Sequence, residues 1–126
     1  MTIWNLTQHD ATPDQIEAGV ADLPSGTKQQ IRALLTFDSL PTQEEIEDRA
    51  FGIWAAVAAL RIIQDDDKIM IGGAPFLMPA LQQRLLWNWQ TPVYAFSKRE
   101  SVDVPQSDGS VRKTAIFKHA GFVECQ

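Results

Sequence analysis

Cysteine and histidine are scarce in this chain, basic charge is not in excess, and no long apolar run occurs. Each shortage removes a class of function. The single cysteine, Cys125, has no partner for an internal disulfide and forms no metal site by itself. With only two histidines, His9 and His119, and no clustered cysteines, the usual zinc-enzyme ligand sets cannot be assembled. Acyl-transfer hydrolysis is also disfavoured, because there is no Gly-x-Ser-x-Gly elbow and Cys125 has no evident base. The longest apolar stretch, Phe51 to Ile63, is interrupted by Gly52 and Arg61 and falls short of the roughly 18 residues of a membrane span. No basic segment followed by an apolar run marks the beginning of the chain, so a secretory signal is not expected and the location read from sequence is cytoplasmic.

The formal net charge of −5 argues against a coat for long nucleic acid, which needs a basic footprint. That charge is unevenly placed. Residues 1–90 hold 6 Lys/Arg against 12 Asp/Glu, whereas residues 91–126 hold 5 against 4. An acidic body with cations gathered near one end suits a pocket for a small anion better than a groove for a polymer. The 126 residues, 44% of them apolar, suffice for one domain with its own core, and no linker or repeat divides them.

Thr2 to Leu6 has strand composition, and Thr7-Gln8-His9-Asp10 follows as a polar loop. Thr12-Pro13-Asp14-Gln15 predicts a helix start with a capping box, and Ile16, Val20 and Leu23 supply its buried stripe until Pro24-Ser25-Gly26. A short helix is predicted from Lys28 to about Leu35, and a long one from about 42 to 63 with Ile46, Ala50, Ile53, Val57 and Leu60 inward. Asp65-Asp66-Asp67 breaks it and reads as a solvated loop rather than a cation site, because consecutive side chains diverge. Lys68 to Ile71 is a central strand, and a helix starting at Pro75 or Phe76 carries Leu77, Leu81 and Leu85. Pro92 to Phe96 is the last central strand, and Glu100–Val104 and Val111–Lys118 flank an Asp108-Gly109 turn as a hairpin. Strands alternating with helices need crossover connections. The expected fold is a small Rossmann-like α/β domain over residues 1–126: a mostly parallel sheet, helices on both faces and a C-terminal β-hairpin.

Chemistry is concentrated in two segments. Ile71-Gly72-Gly73-Ala74-Pro75 places two glycines between a strand and a helix, where backbone can approach a ligand and free N–H groups attract phosphate. It lacks the spacing of a dinucleotide fingerprint and the Lys-Ser/Thr ending of a Walker loop, and a plain tight turn is the alternative. Ser97-Lys98-Arg99-Glu100 places a hydroxyl, two cations and a carboxylate where the last central strand is expected to end. Arg99 suits bidentate phosphate binding, Lys98 adds a point charge and Ser97 a hydrogen bond. The alternative is a solvated strand end with Arg99 paired to Glu100. Thr7-Gln8-His9 follows the first strand and is expected at the same sheet edge, with His9 either an acid or base near phosphate or a cap for the next helix. His119, on a hairpin arm, reads as structural.

The run Pro92-x-Tyr94-Ala95-x-Ser97-Lys98-Arg99-Glu100, the Asp108-Gly109 turn and Phe117-Lys118-His119-x-x-Phe122 resemble the C-terminal half of small, stand-alone CRISPR-associated Rossmann-fold (CARF) proteins. Gly72-Gly73 occupies the place of that family's glycine-containing loop, so the resemblance covers roughly residues 68–122, and the helical stretch from 25 to 63 aligns poorly. The resemblance implies a homodimer that binds cyclic oligoadenylate, and in ring nucleases opens it without metal or cofactor. There a ribose 2′-hydroxyl attacks the adjacent phosphate and leaves a 2′,3′-cyclic phosphate. On that reading Arg99, Lys98 and Ser97 are the catalytic residues, and Thr7, Gln8, His9, Gly72, Gly73 and Ala74 bind the ligand. Relatives often have Thr in place of Ser97, and Ala74-Pro75 departs from the family pattern. Two other readings stand beside it: a protein that binds or sequesters a nucleotide signal without cleaving it, and an interaction protein of phage or mobile-element type using Trp54, Trp87 and Trp89 at a contact.

Overall fold

Thr12 caps its helix as its sequence requires: the Gln15 N–H donates to Thr12 Oγ1 at 3.2 Å and the Thr12 N–H donates to Gln15 Oε1 at 3.0 Å. The computed structural model describes residues 1–126. After β1 (Ile3–Asn5) comes this helix, α1 (Pro13–Glu17), which ends after five residues. Gly19, at φ +105°, turns the chain into β2 (Val20–Asp22). The continuous stripe expected through Ile16, Val20 and Leu23 is therefore split: Ile16 is exposed, while Val20 and Leu23 are buried from a strand and the loop after it. Three residues are too few to display the two-residue period of a strand, and their spacing from Ile16 mimics a helix.

Pro24 does not end a helix but precedes one, α2 (Ser25–Leu35), and α3 follows at Gln43–Ala58 with the Glu45 N–H donating to Thr42 Oγ1 at 3.1 Å. The long helix stops at Ala58 rather than 63, because Arg61 adopts φ +53°. Leu60, Ile62 and Ile63 pack against the core from that loop. Asp67 closes it: the carboxylate accepts from Thr2 N–H at 2.8 Å, Trp4 Nε1–H at 3.0 Å and Gln64 N–H at 2.9 Å. So Asp67 is a buried backbone anchor, while Asp65 and Asp66 are solvated. β3 (Lys68–Met70), α4 (Met78–Trp87), β4 (Pro92–Pro105) and β5 (Val111–Glu124) complete the chain.

The sheet runs β2-β1-β3-β4-β5, parallel except for β5, which pairs antiparallel with β4. From β1 the chain moves outward to β2, then returns past β1 to β3. Right-handed crossovers in opposite directions put their helices on opposite faces. On the larger side, Ile31 and Leu35 of α2, Ile53 and Val57 of α3 and Leu81 and Leu85 of α4 pack with Leu6, Ile69 and Ile71. Ile3, Val20, Met70 and Val93 form the smaller cluster of the other face, where Ala11 and Phe122 pack and α1 contacts β2 and β5. Full burial of each such aliphatic side chain contributes about 1.5–3 kcal/mol. No helix is long and apolar enough to cross a membrane.

β4 does not end at Phe96. A register shift between Phe96 and Ser97 bends it, and it continues to Pro105 as one arm of a two-stranded ribbon. β3 pairs with β4 only at Pro92 and Val93, so most of this ribbon has no third strand. Phe96, Ile116 and Phe117 are exposed on it.

Candidate functional site

Asn5 ends β1 opposite Asp22, its register partner at the end of β2. It is buried, and each polar atom of its side chain is used. The amide donates to Asp22 Oδ1 at 2.7 Å and to the His9 carbonyl at 2.8 Å. Its Oδ1 accepts from the Thr7 N–H at 2.9 Å and the Thr7 hydroxyl at 2.7 Å. The Thr7–His9 loop is thus folded onto the end of its own strand. Gln8 ties that loop to α2, donating to the Leu35 carbonyl at 3.3 Å and Thr36 Oγ1 at 3.2 Å.

An ionic group flanks the loop. Lys28 pairs with Asp10 and lies 3.4 Å from Asp22, while Arg32 reaches Asp10 at 2.8 Å. Lys28 and Arg32 are one turn apart on α2 and so face the same side. The Lys28 hydrogen bond and charge hold the Asp10 carboxyl below the usual aspartate range, with Arg32 adding to it. For Asp22, burial pushes the pKa up, but hydrogen bonds from Asn5 and the Ala11 N–H together with Lys28 bring it below the ordinary value. Two carboxylates and two cations leave this flank charged but balanced.

Between the loops after β1 and β3 lies a cleft of about 450 Å³ whose lining includes Thr7, Gln8, His9, Asp10, Gln15, Gly72, Gly73, Tyr94 and Ala95. It sits at the carboxyl ends of the strands, where the chain leaves β1 toward β2 and re-enters beyond β1 at β3. Ligands of open α/β sheets bind at such a switch point. The N–H groups of Gly72, Gly73 and Ala74 donate to no group of the protein. They are left for solvent or an anion, since Pro75 delays the start of α4 to Met78 instead of Pro75 or Phe76. A recess of about 210 Å³ at the other end of β3, among Trp54, Arg61, Asn88 and Gln90, brings no comparable set of polar groups together.

The structure brings Thr7, Gln8, His9, Gly72 and Gly73 together in one cleft. Ala74 is adjacent but half-buried against the helical core, and its carbonyl accepts the Leu77 N–H at 3.0 Å. Gly73 needs glycine for its φ of +148°, yet a Cβ there would meet Met78 Cε at 3.5 Å and Leu35 Cδ2 at 3.6 Å, not the cleft. A Cβ on Gly72 would instead meet Thr7 Cγ2 at 3.4 Å, across the cleft floor.

Ser97, Lys98 and Arg99 do not line this cleft. They do not lie at a strand mouth either, because β4 runs on through them, opposite His119, Lys118 and Phe117. Ala95 is the last β4 residue at the rim, and a rise of about 3.3 Å per residue carries Arg99 about 13 Å farther along the strand. All three side chains are exposed, and neither Lys98 nor Arg99 has an acidic partner, Glu100 included. His119 stacks on Phe122 with ring centroids 4.7 Å apart. Tyr94, Asn5 and the Asp10–Lys28–Arg32 group had no separate signal in the sequence.

No curated protein and no solved structure matches this chain significantly. A family model does match it over residues 1–123, and the chain belongs to the Uncharacterized protein MJ1673 family.

Proposed function

We propose that this protein binds a cyclic oligonucleotide of the oligoadenylate type at the cleft between the β1 and β3 loops, and opens it without metal. One observation carries the reading: three consecutive N–H groups, of Gly72, Gly73 and Ala74, have no protein acceptor beside a cleft at the sheet's switch point. Backbone donors in that position favour a phosphate oxygen. Thr7 and Gln8 shape the opposite wall.

The chemistry needs alignment more than activated side chains. The 2′-oxygen forms a new P–O bond as the 5′-oxygen leaves, giving a 2′,3′-cyclic phosphate and a 5′-hydroxyl. Charge on the phosphoryl oxygens is stabilised by the free amides, and by Arg99 and Lys98 where a ring extends from the cleft along β4. Two copies make a homodimer through the ribbon, whose exposed Phe96, Ile116 and Phe117 gain by burial and whose two strands lack a third. A second reading, binding without cleavage, is favoured by the placement of Ser97, Lys98 and Arg99 outside the cleft lining.

Incubation of pure protein with cyclic tetra- and hexa-adenylate in EDTA separates the two. Linear product with a 2′,3′-cyclic phosphate supports the nuclease, and tight binding with the ring intact supports sequestration. Absence of binding removes both.

A further inference from the structure

The β3–α4 loop has a second side. Gly72, Gly73 and Tyr94 line not only the cleft described above but also an open trough of about 670 Å³ beside the first turns of α4, walled by Met78, Gln82 and Gln83. The free amides therefore stand on a ridge between two hollows. A phosphate held on that ridge has a nucleoside on each side of it.

Tyr94 and Gln82 are joined within the trough. The Tyr94 hydroxyl donates to Gln82 Oε1 at 3.3 Å. Burial, and secondarily Cys125, raises the phenol's pKa, so it remains a donor. The bond turns the half-buried Gln82 amide so that its Nε2 donors face away from the phenol, and they have no protein partner. Gln83 is exposed and its amide is likewise unbound. A glutamine amide offers a donor and an acceptor side by side, the complement of adenine N7 and N6. Tyr94 and Met78 supply apolar surface for the flat face of a base.

We infer that this trough is a base-reading subsite, in which Gln82 and Gln83 recognise an adenine whose phosphate lies on the Gly72–Gly73 ridge. The inference rests on the nucleotide-binding reading above and assigns it one new element, the source of base preference. Phosphate contacts position a nucleotide without reporting its base, whereas a paired amide reports it.

The test is calorimetric titration with linear pApA and pUpU, using the parent protein and the Gln82→Leu/Gln83→Leu double variant. The parent is expected to bind pApA about tenfold more tightly than pUpU, and the double variant to bind both at the pUpU level. Tyr94→Phe, which frees the Gln82 amide, is expected to lose part of the preference. Should the double variant fail to fold, Gln83→Leu on the exposed side carries the test. A parent without base preference, or a folded variant that keeps it, overturns the subsite while nucleotide binding stands. A parent that binds neither dinucleotide overturns the nucleotide reading and the subsite together.

Discussion

Asn5 and Asp22 meet at 2.7 Å where β1 and β2 both end, and this contact sets the loop that forms one wall of the cleft. Because Asn5 also holds Thr7 and the His9 carbonyl, its removal leaves several buried polar groups without partners. Asn5→Ala is expected to destabilise the fold by about 2–4 kcal/mol, and Thr7→Val by about 1 kcal/mol. Urea denaturation monitored by tryptophan fluorescence measures both.

Asp67 gives the fold an acid-sensitive anchor. Burial raises its pKa, but the Gln64 and Thr2 N–H groups and the Trp4 indole more than offset this and leave it lowered. A carboxyl whose folded pKa lies below its unfolded value, about 3.9, stabilises fully above that value. The contribution disappears as pH falls through the lowered folded value. Asp67→Asn is therefore expected to cost about 1–3 kcal/mol at neutral pH, with the gap from the parent narrowing from about pH 5 downward. Denaturation midpoints across that range give the answer, and a pH-independent gap contradicts the assignment.

The two glycines of the β3–α4 loop are expected to respond differently. Gly73 sits at φ +148°, so Gly73→Ala strains the backbone and costs about 1–3 kcal/mol, with its methyl toward Met78 and Leu35. Gly72 has no such requirement, and its side chain would point at Thr7. Gly72→Val should fold and weaken ligand binding about tenfold or more, whereas Gly73→Ala should lower the melting temperature with less effect on affinity.

Arg99 tests the catalytic part of the proposal. A guanidinium holds two phosphate oxygens in fixed geometry, and an ammonium on a flexible stem does not. Arg99→Ala is expected to slow single-turnover cleavage by roughly 30- to 1,000-fold, equivalent to about 2–4 kcal/mol, while Lys98→Ala mainly weakens binding. Cleavage at the parental rate by Arg99→Ala would leave the ribbon without a chemical role.

Where segments are long and one-sided, the sequence reads clearly. Ile46, Ala50, Ile53 and Val57 mark the buried stripe of α3 because sixteen residues repeat the helical period enough times to exclude a strand. β2 is hidden because three residues carry no period of their own. The ribbon misleads for a different reason: exposed on both faces, it needs no apolar alternation, so Ser97-Lys98-Arg99-Glu100 looks like a strand end. Gly72-Gly73 and Thr7–His9 are visible as breaks after apolar strands. Tyr94 reads as a core residue because an aromatic in an apolar run gives no sign that its hydroxyl emerges at a rim. Asp10, Lys28 and Arg32 meet only because α2 crosses back past β1, a relationship that chain spacing does not encode.

The most direct measurement is calorimetric titration of cyclic tetra- and hexa-adenylate, in EDTA, into the parent protein and into Gly72→Val. The account predicts saturable binding of at least one ring by the parent and about tenfold or greater weakening by the substitution, with the fold intact by circular dichroism. Equal affinity in the two proteins, or no binding of either ring by the parent, would contradict the claim that the β1–β3 cleft is the nucleotide site.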